Sequence, residues 1–153
     1  MKLRVFVYLL VFAVAFSACQ RNTVSKIPHI TLIAFIPLDS MRVNVDIDSI
    51  VFSIVDGDAD IGNDTVSLIY IKDSRYDSAG FVPTPFPQIA DKVEDPTKGL
   101  QATCTIYPIP PTAPRPDSLH KAMGDTLTYQ FYITDRANHK SNIITTHPLI
   151  VRP

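Results

Sequence analysis

The pattern that most limits what this chain can become is a two-residue alternation of apolar and polar side chains in short runs. Leu127, Tyr129, Phe131 and Ile133 alternate with Thr128, Gln130, Tyr132 and Thr134. Leu100, Ala102, Cys104 and Ile106 alternate with Gln101, Thr103, Thr105 and Tyr107. Successive side chains of a strand point to opposite faces, so each run predicts a strand with one buried face and one wet face. Met41, Val43, Val45 and Ile47 alternate as well, and Ile50, Phe52 and Ile54 do so in the opposite phase. A one-residue slip flips every side chain, so a bulge or turn is expected near Asp48 and Ser49. Asp46 and Asp48 are expected on the solvent side of their strand. Residues 30–36 and 142–151 are further β-branched runs, and residues 66–71 are apolar on both faces, as a central strand requires. About seven short strands result, and with almost no helical periodicity the expectation is a single all-β sandwich.

Proline marks where strands cannot run. Pro83, Pro85, Pro87 and Pro96 fall within residues 73–99, and Pro108, Pro110, Pro111, Pro114 and Pro116 within residues 108–125. Proline donates no ladder hydrogen bond, so these stretches read as two long loops rather than central strands. The first also carries Phe81, Val82, Phe86 and Ile89, which suggests that it packs down on the sandwich. Tyr76, Phe81, Phe86 and Tyr107 have two readings: core residues, or an exposed patch for a glycan or an envelope protein.

The N-terminus reads as an address. Met1-Lys2-Leu3-Arg4 is a short basic segment, residues 5–16 are an unbroken apolar run, and Ser17 and Ala18 are small. At about 1.5 Å per residue this run falls short of a hydrocarbon core roughly 30 Å thick, so a processed signal is expected rather than a retained span. Phe16-Ser17-Ala18-Cys19 resembles the lipobox of bacterial lipoproteins, with Phe16 where Leu is usual. The resemblance implies cleavage before Cys19, a thioether-linked diacylglycerol on its sulfur and acylation of its new amine. Several acyl chains anchor firmly, since each buried CH2 contributes about 0.8 kcal/mol and one chain alone is marginal. Gln20 and Arg21 follow, with no Asp after the Cys, so nothing resembles an inner-membrane retention signal and the outer membrane of the cell envelope is expected.

The expected organisation is a signal peptide over 1–18, the lipidated Cys and a polar tether over 19–26, and a β-sandwich domain over 27–153. Removing 1–18 takes away Lys2 and Arg4 and no acid, leaving 12 basic against 15 acidic residues, a formal charge of −3. That mild acidity gives no electrostatic case for nucleic acid, which needs a basic face. With Cys19 lipidated, Cys104 is the one remaining thiol, so no intramolecular disulfide is available and the fold must stand on its core.

Residues 129–134, then Asp135-Arg136-Ala137-Asn138-His139-Lys140-Ser141, then residue 142 onward, read as a hairpin with Asn138 as its left-handed turn residue. This stretch resembles the closing hairpin of immunoglobulin-like and fibronectin type III-like bacterial domains, with Asn138 and His139 where Gly and Asn are usual. That resemblance implies an immunoglobulin-like topology, with Tyr129 at a sheet corner. The lipobox, the Asp-Gly-Asp loop and this hairpin together resemble small lipoproteins of Bacteroidetes-type bacteria. The likeness implies a fold and an anchor and no particular activity.

The one dense polar cluster is Asp56-Gly57-Asp58-Ala59-Asp60-Ile61-Gly62-Asn63-Asp64. Carboxylates at i, i+2, i+4 and i+8 among small residues supply the hard oxygen ligands that Ca2+ takes. An EF-hand is not supported, because Gly62 falls one place late, Ser67 stands where the bidentate Glu belongs and the flanks are strands. In an immunoglobulin-like topology Asp135 lies at the same end and would complete the shell, with Asn138 or Asn142 as minor candidates. The calcium candidates are therefore Asp56, Asp58, Asp60, Asp64 and Asp135, and the alternative is a solvated Asx-turn. His29, His120, His139 and His147 show no paired zinc spacing. Cys104 shares its face with core residues, no Gly-x-Ser-x-Gly elbow is present, and Glu94 is the only glutamate. A non-catalytic binding or structural module is expected. The competing expectation is an envelope hydrolase or accessory enzyme using the Asp-rich loop.

Overall fold

The computed structural model describes residues 24–62, 67–86, 99–107, 109, 115, 117 and 122–153. Cys19, residues 1–18 and Asp64 lie outside the described residues. The described chain is an all-β sandwich of ten strand segments: β1 (His29–Ile36), β2 (Ser40–Arg42), β3 (Ser49–Asp56), β4 (Leu68–Asp73), β5 (Val82–Pro85), β6 (Leu100–Ile106), β7 (Asp125–Leu127), β8 (Tyr129–Thr134), β9 (Ile144–Thr145) and β10 (Leu149–Arg152). They form three sheets, ordered β1-β3-β6, β5-β4-β8-β9 and β2-β10-β7.

The alternation does what period two dictates. Ile50, Phe52 and Ile54 of β3, Leu100, Cys104 and Ile106 of β6, and Tyr129, Phe131 and Ile133 of β8 are all buried. Phe52 meets Phe131 with ring centroids 5.2 Å apart, which joins the β1-β3-β6 sheet to the four-stranded one. Cys104 is sealed in this core, and burial pushes its thiol up to about 12. At pH 8 the thiolate is then about one part in 10⁴, and the thiolate is the reactive form. Maleimide labelling of the folded protein at pH 8 is expected to be slower than in denaturant by several orders of magnitude; equal rates would show the site to be open.

Strand number differs from expectation because two runs divide between sheets, and because residues 82–85, in the stretch read as the first long loop, form β5 and pair with β4 as an edge strand, the one place in a sheet that tolerates Pro83 and Pro85. The run ending at Thr134 breaks at Thr128, where β7 and β8 enter different sheets, and the last run breaks between β9 and β10. Thr146 pins the crossing: its amide donates to the Tyr129 carbonyl and its hydroxyl accepts from the Tyr129 amide, both at 2.9 Å. Tyr129 is fully buried there, edge-on to Phe35 with centroids 5.9 Å apart.

Two local expectations are corrected. The run from Met41 to Ile47 is strand only to Arg42; the chain then turns, Asn44 takes a positive φ of 60°, and Val45 and Ile47 are exposed. The break in phase expected near Asp48 and Ser49 is met by this turn, with β3 opening at Ser49, and a separate irregularity in the β1–β3 ladder between Leu32 and Ala34 leaves Ile33 exposed. Asp48 is buried rather than solvent-facing, and its Oδ1 accepts from the Ile109 amide at 3.3 Å.

Candidate metal centre

Residue 56 ends β3 pointing inward, because the strand's alternation places it on the same face as Ile50, Phe52 and Ile54. A carboxylate is thereby carried into the core edge: Asp56 is fully buried. The loop beyond it is anchored rather than loose. Ala59 and Ile61 are buried, and Ala59 sits at a φ of 57°, a left-handed conformation that costs a non-glycine residue roughly 1 kcal/mol. Its neighbours Asp58 and Asp60 are exposed and half-buried.

The β8–β9 hairpin supplies the fourth acid. Asp135, fully buried, directly follows β8. Its Oδ1 accepts the His139 amide at 2.7 Å, and its Oδ2 lies 2.8 Å from His139 Nδ1. Asn138 takes the left-handed turn position with φ 64°, as its residue type led one to expect. The hairpin and loop are tied directly: Arg136 N donates to the Asp60 carbonyl at 3.4 Å and Arg136 Nη2 to the Gly62 carbonyl at 3.1 Å. One ligand atom from each of Asp56, Asp58, Asp60 and Asp135 lies within 4.8 Å of all the others. Four of the five acids singled out from sequence therefore meet, and the fifth, Asp64, lies outside the described residues. Asn142 is drawn elsewhere: its Oδ1 accepts from the Ile30 amide and its Nδ2 donates to the Ile30 carbonyl, each at 2.9 Å, which staples β1 to the hairpin.

The electrostatics of the cluster are unresolved within the protein. Asp56 Oδ2 accepts the Asp60 amide at 3.1 Å, but Asp56 Oδ1 and Asp60 Oδ1 are buried with no hydrogen-bond partner. Buried polar atoms of this kind are rare and costly, so two in one cluster call for a donor or a cation. Burial raises the Asp56 carboxyl to about 6, against the Asp60 amide, which lowers it, and with further upward pressure from Asp58, Asp60 and Asp135. Asp60 is raised by burial and then by Asp135 and Asp58. The ionised forms are thus disfavoured as they stand, and a divalent cation reverses that sign.

A second buried charge group had no signature in the sequence. Arg75 Nη2 lies 2.6 Å from Asp73 Oδ2, and Arg75 Nη1 lies 3.7 Å from Asp125 Oδ2, with all three side chains at least nine-tenths buried. Arg115 Nε reaches Asp125 Oδ2 at 2.9 Å. A cleft of about 400 Å³ opens beside it, lined by Ile71, Asp73, Tyr76, Ala79, Val82 and Tyr129 among others. Asp73, the acid in its wall, is committed to Arg75. The aromatic set divides: Phe86 is core, Phe81 stands edge-on to Tyr132 with centroids 4.9 Å apart, and Tyr107 is exposed.

Compared with known proteins, the sequence matches no family model and no curated protein.

Proposed function

We propose that this protein is a lipid-anchored module of the bacterial cell envelope that binds or supports a partner without catalysis, and that calcium stabilises its sandwich. The anchor rests on the likeness of residues 16–19 to a lipobox and places the domain at the outer membrane. The observation that carries the calcium reading is Asp56: fully buried, among three other carboxylates, with Oδ1 unpartnered. Asp56, Asp58, Asp60 and Asp135 would hold the ion, with Asp64 as a further candidate, and the bound charge would offset their mutual repulsion. Oxygen-only donors on a loop and a hairpin suit calcium, which accepts irregular geometry, better than magnesium, which demands an octahedron.

The competing reading is a hydrolase working through the same loop. A general acid must come within hydrogen-bond reach of its substrate; of the two acids whose pKa is raised, Asp56 is sealed from solvent and Asp60 is half-buried with its Oδ1 turned away from solvent. The wall acid of the neighbouring cleft is held by Arg75. Both observations favour a binding or structural role.

A thermal melt in calcium and then in chelator tests this. Extracellular modules bind at about 0.1–1 mM, and a tenfold excess over the dissociation constant stabilises by roughly 1.4 kcal/mol. The melting temperature is expected to rise by about 5 °C in 10 mM calcium. Identical melts in both buffers would overturn the site. Turnover on a glycan or ester panel that disappears in Asp58→Ala would overturn the non-catalytic reading.

A further inference from the structure

We propose, resting on the non-catalytic binding reading above, that the outer face of the four-stranded sheet is a platform for an acidic glycan: Tyr70, Tyr132 and Phe81 take the C–H face of a sugar ring, and Lys140 takes a sugar carboxylate. Strand alternation builds this face. Leu68, Tyr70 and Lys72 of β4 and Gln130, Tyr132 and Thr134 of β8 point away from the core, because Ile69, Ile71, Phe131 and Ile133 between them are buried. Register sets Tyr70 opposite Tyr132 and Pro83 of β5 beside Tyr70. The two tyrosine rings stack with centroids 4.7 Å apart and 9° between their planes. Phe81 closes on Tyr132 edge-on at 4.9 Å. Lys140, bridged to Thr134 across the hairpin, brings Nζ to 3.9 Å from the Tyr132 ring centre and 5.8 Å from that of Phe81.

A cross-strand aromatic pair stabilises a sheet without any ligand, and three observations go beyond that role. All three rings are only half-buried, so the rigid cluster is open to solvent. The Tyr70 and Tyr132 hydroxyls and the Lys140 ammonium have no hydrogen-bond or ion-pair partner among the described residues. An ammonium held over a ring still carries N–H donors directed away from it. The face is also cationic, in a chain whose 15 acids outnumber its 14 lysines and arginines. Lys72 and Lys140 stand on it, and no carboxylate does among the described residues; Asp73, at the end of β4, turns inward to Arg75.

This chemistry selects the ligand. A purely apolar partner would bury the hydroxyls and the ammonium without partners, which is costly. A nucleic acid needs a broader basic surface than two lysines. A pyranose ring suits the face on both counts. Its C–H face packs on the aromatic rings, and its hydroxyls meet the tyrosine hydroxyls, Gln130 and Thr134. In a hexuronate the carboxylate makes a charge-assisted hydrogen bond with Lys140. Two strand spacings, about 10 Å, separate β5 from β8, so the platform spans neighbouring sugars of a polymer. None of its residues belongs to the acid cluster, so binding requires no calcium.

The test floats the full-length lipoprotein in phosphatidylcholine vesicles with fluorescein-labelled hyaluronan or polygalacturonate, and with neutral dextran, in chelator. An acidic polymer is expected to float with the vesicles, and dextran about tenfold less. Tyr132→Ala is expected to weaken retention of the acidic polymer about tenfold, and Tyr132→Phe, which keeps the ring, to change it little. Lys140→Gln is expected to weaken it about fivefold. Retention of neither acidic polymer would overturn the platform, as would retention that both Tyr132→Ala and Lys140→Gln leave unchanged. Hyaluronan retained only when calcium is added would move the glycan to the acid cluster and overturn it too. Polymer retained through Tyr132 and Lys140 but recovered shortened would overturn the non-catalytic reading while keeping the sugar on this face. Should Tyr132→Ala fail to fold, Lys140→Gln, a change at an exposed side chain, decides alone.

Discussion

Replacing Arg75 with Met is expected to lower the unfolding free energy by about 3–5 kcal/mol, the range for stripping one partner from a buried ion pair. The Arg75 side chain is 2 % exposed, Asp73 8 % and Asp125 3 %, so removal takes the guanidinium from a buried Asp73 out of reach of bulk water, while Asp125 keeps Arg115. The position magnifies the effect. Asp73 ends β4 in the four-stranded sheet and Asp125 opens β7 in the β2-β10-β7 sheet, so Arg75 joins two sheets across the switch at Thr128. Arg75→Lys would keep the charge but lose the fork that grips Asp73 through Nε and Nη2. A urea midpoint series checks the size of the loss, and a loss below about 1 kcal/mol would show the group to be hydrated. Replacing Asp73 by Leu as well is expected to recover part of the loss, because the uncompensated charge goes with it. Acid should expose the same group. Burial raises the Asp125 carboxyl, but the Arg115 side chain and the Arg115 and Thr126 amides outweigh it and hold it at about 2. A carboxyl lowered on folding stabilises above its unfolded value near 3.8, and that contribution is lost as pH falls from about 4 to 2.

The strands were legible because burial on one face writes itself as period two, and β3, β6 and β8 follow that pattern residue by residue. The acid cluster was legible for a similar reason. Asp56, Asp58 and Asp60 are neighbours in sequence, and Asp135 follows from knowing which loops share an end of a sandwich. Contacts between distant polar residues leave no such mark. Arg75 and Asp125 look like any surface pair in sequence, as does Asp48, whose Oδ1 accepts from the amide of the distant Ile109. His139 could have been found through its spacing of four from Asp135 across an Asn turn, which is the spacing at which a side chain reaches back to an amide. The switch of sheet at Thr128 was hidden because alternation is indifferent to which sheet the chain enters: Leu127 and Tyr129 stay in phase on both sides of it.

Converting Asp56 to Asn is expected to stabilise the metal-free protein at pH 7 by up to about 3 kcal/mol, on the order of 10 °C in melting temperature, and to abolish its response to calcium. Burial and the surrounding acids raise the Asp56 carboxyl from 3.8 to about 6. At pH 7 it is ionised in both folded and unfolded protein, so the cost of holding that charge is fully present in the fold. As pH falls through 6 the folded form takes up a proton before the unfolded form does, and the cost is gone once pH reaches about 4. In chelator, the natural protein should therefore gain stability between pH 7 and about 4.5, with Asp56→Asn lacking that component. Asn preserves the geometry, since its carbonyl can accept the Asp60 amide as Asp56 Oδ2 does, while its NH2 donates towards the neighbouring carboxylates. The ion requires the opposite of what the empty fold prefers: an anionic oxygen without a donor. A variant that melts higher in chelator and no longer shifts with calcium would mark Asp56 as a residue kept for a ligand at the expense of the fold. A variant that melts lower in chelator would mean that the charge is compensated within the protein, and the calcium reading would lose its principal support.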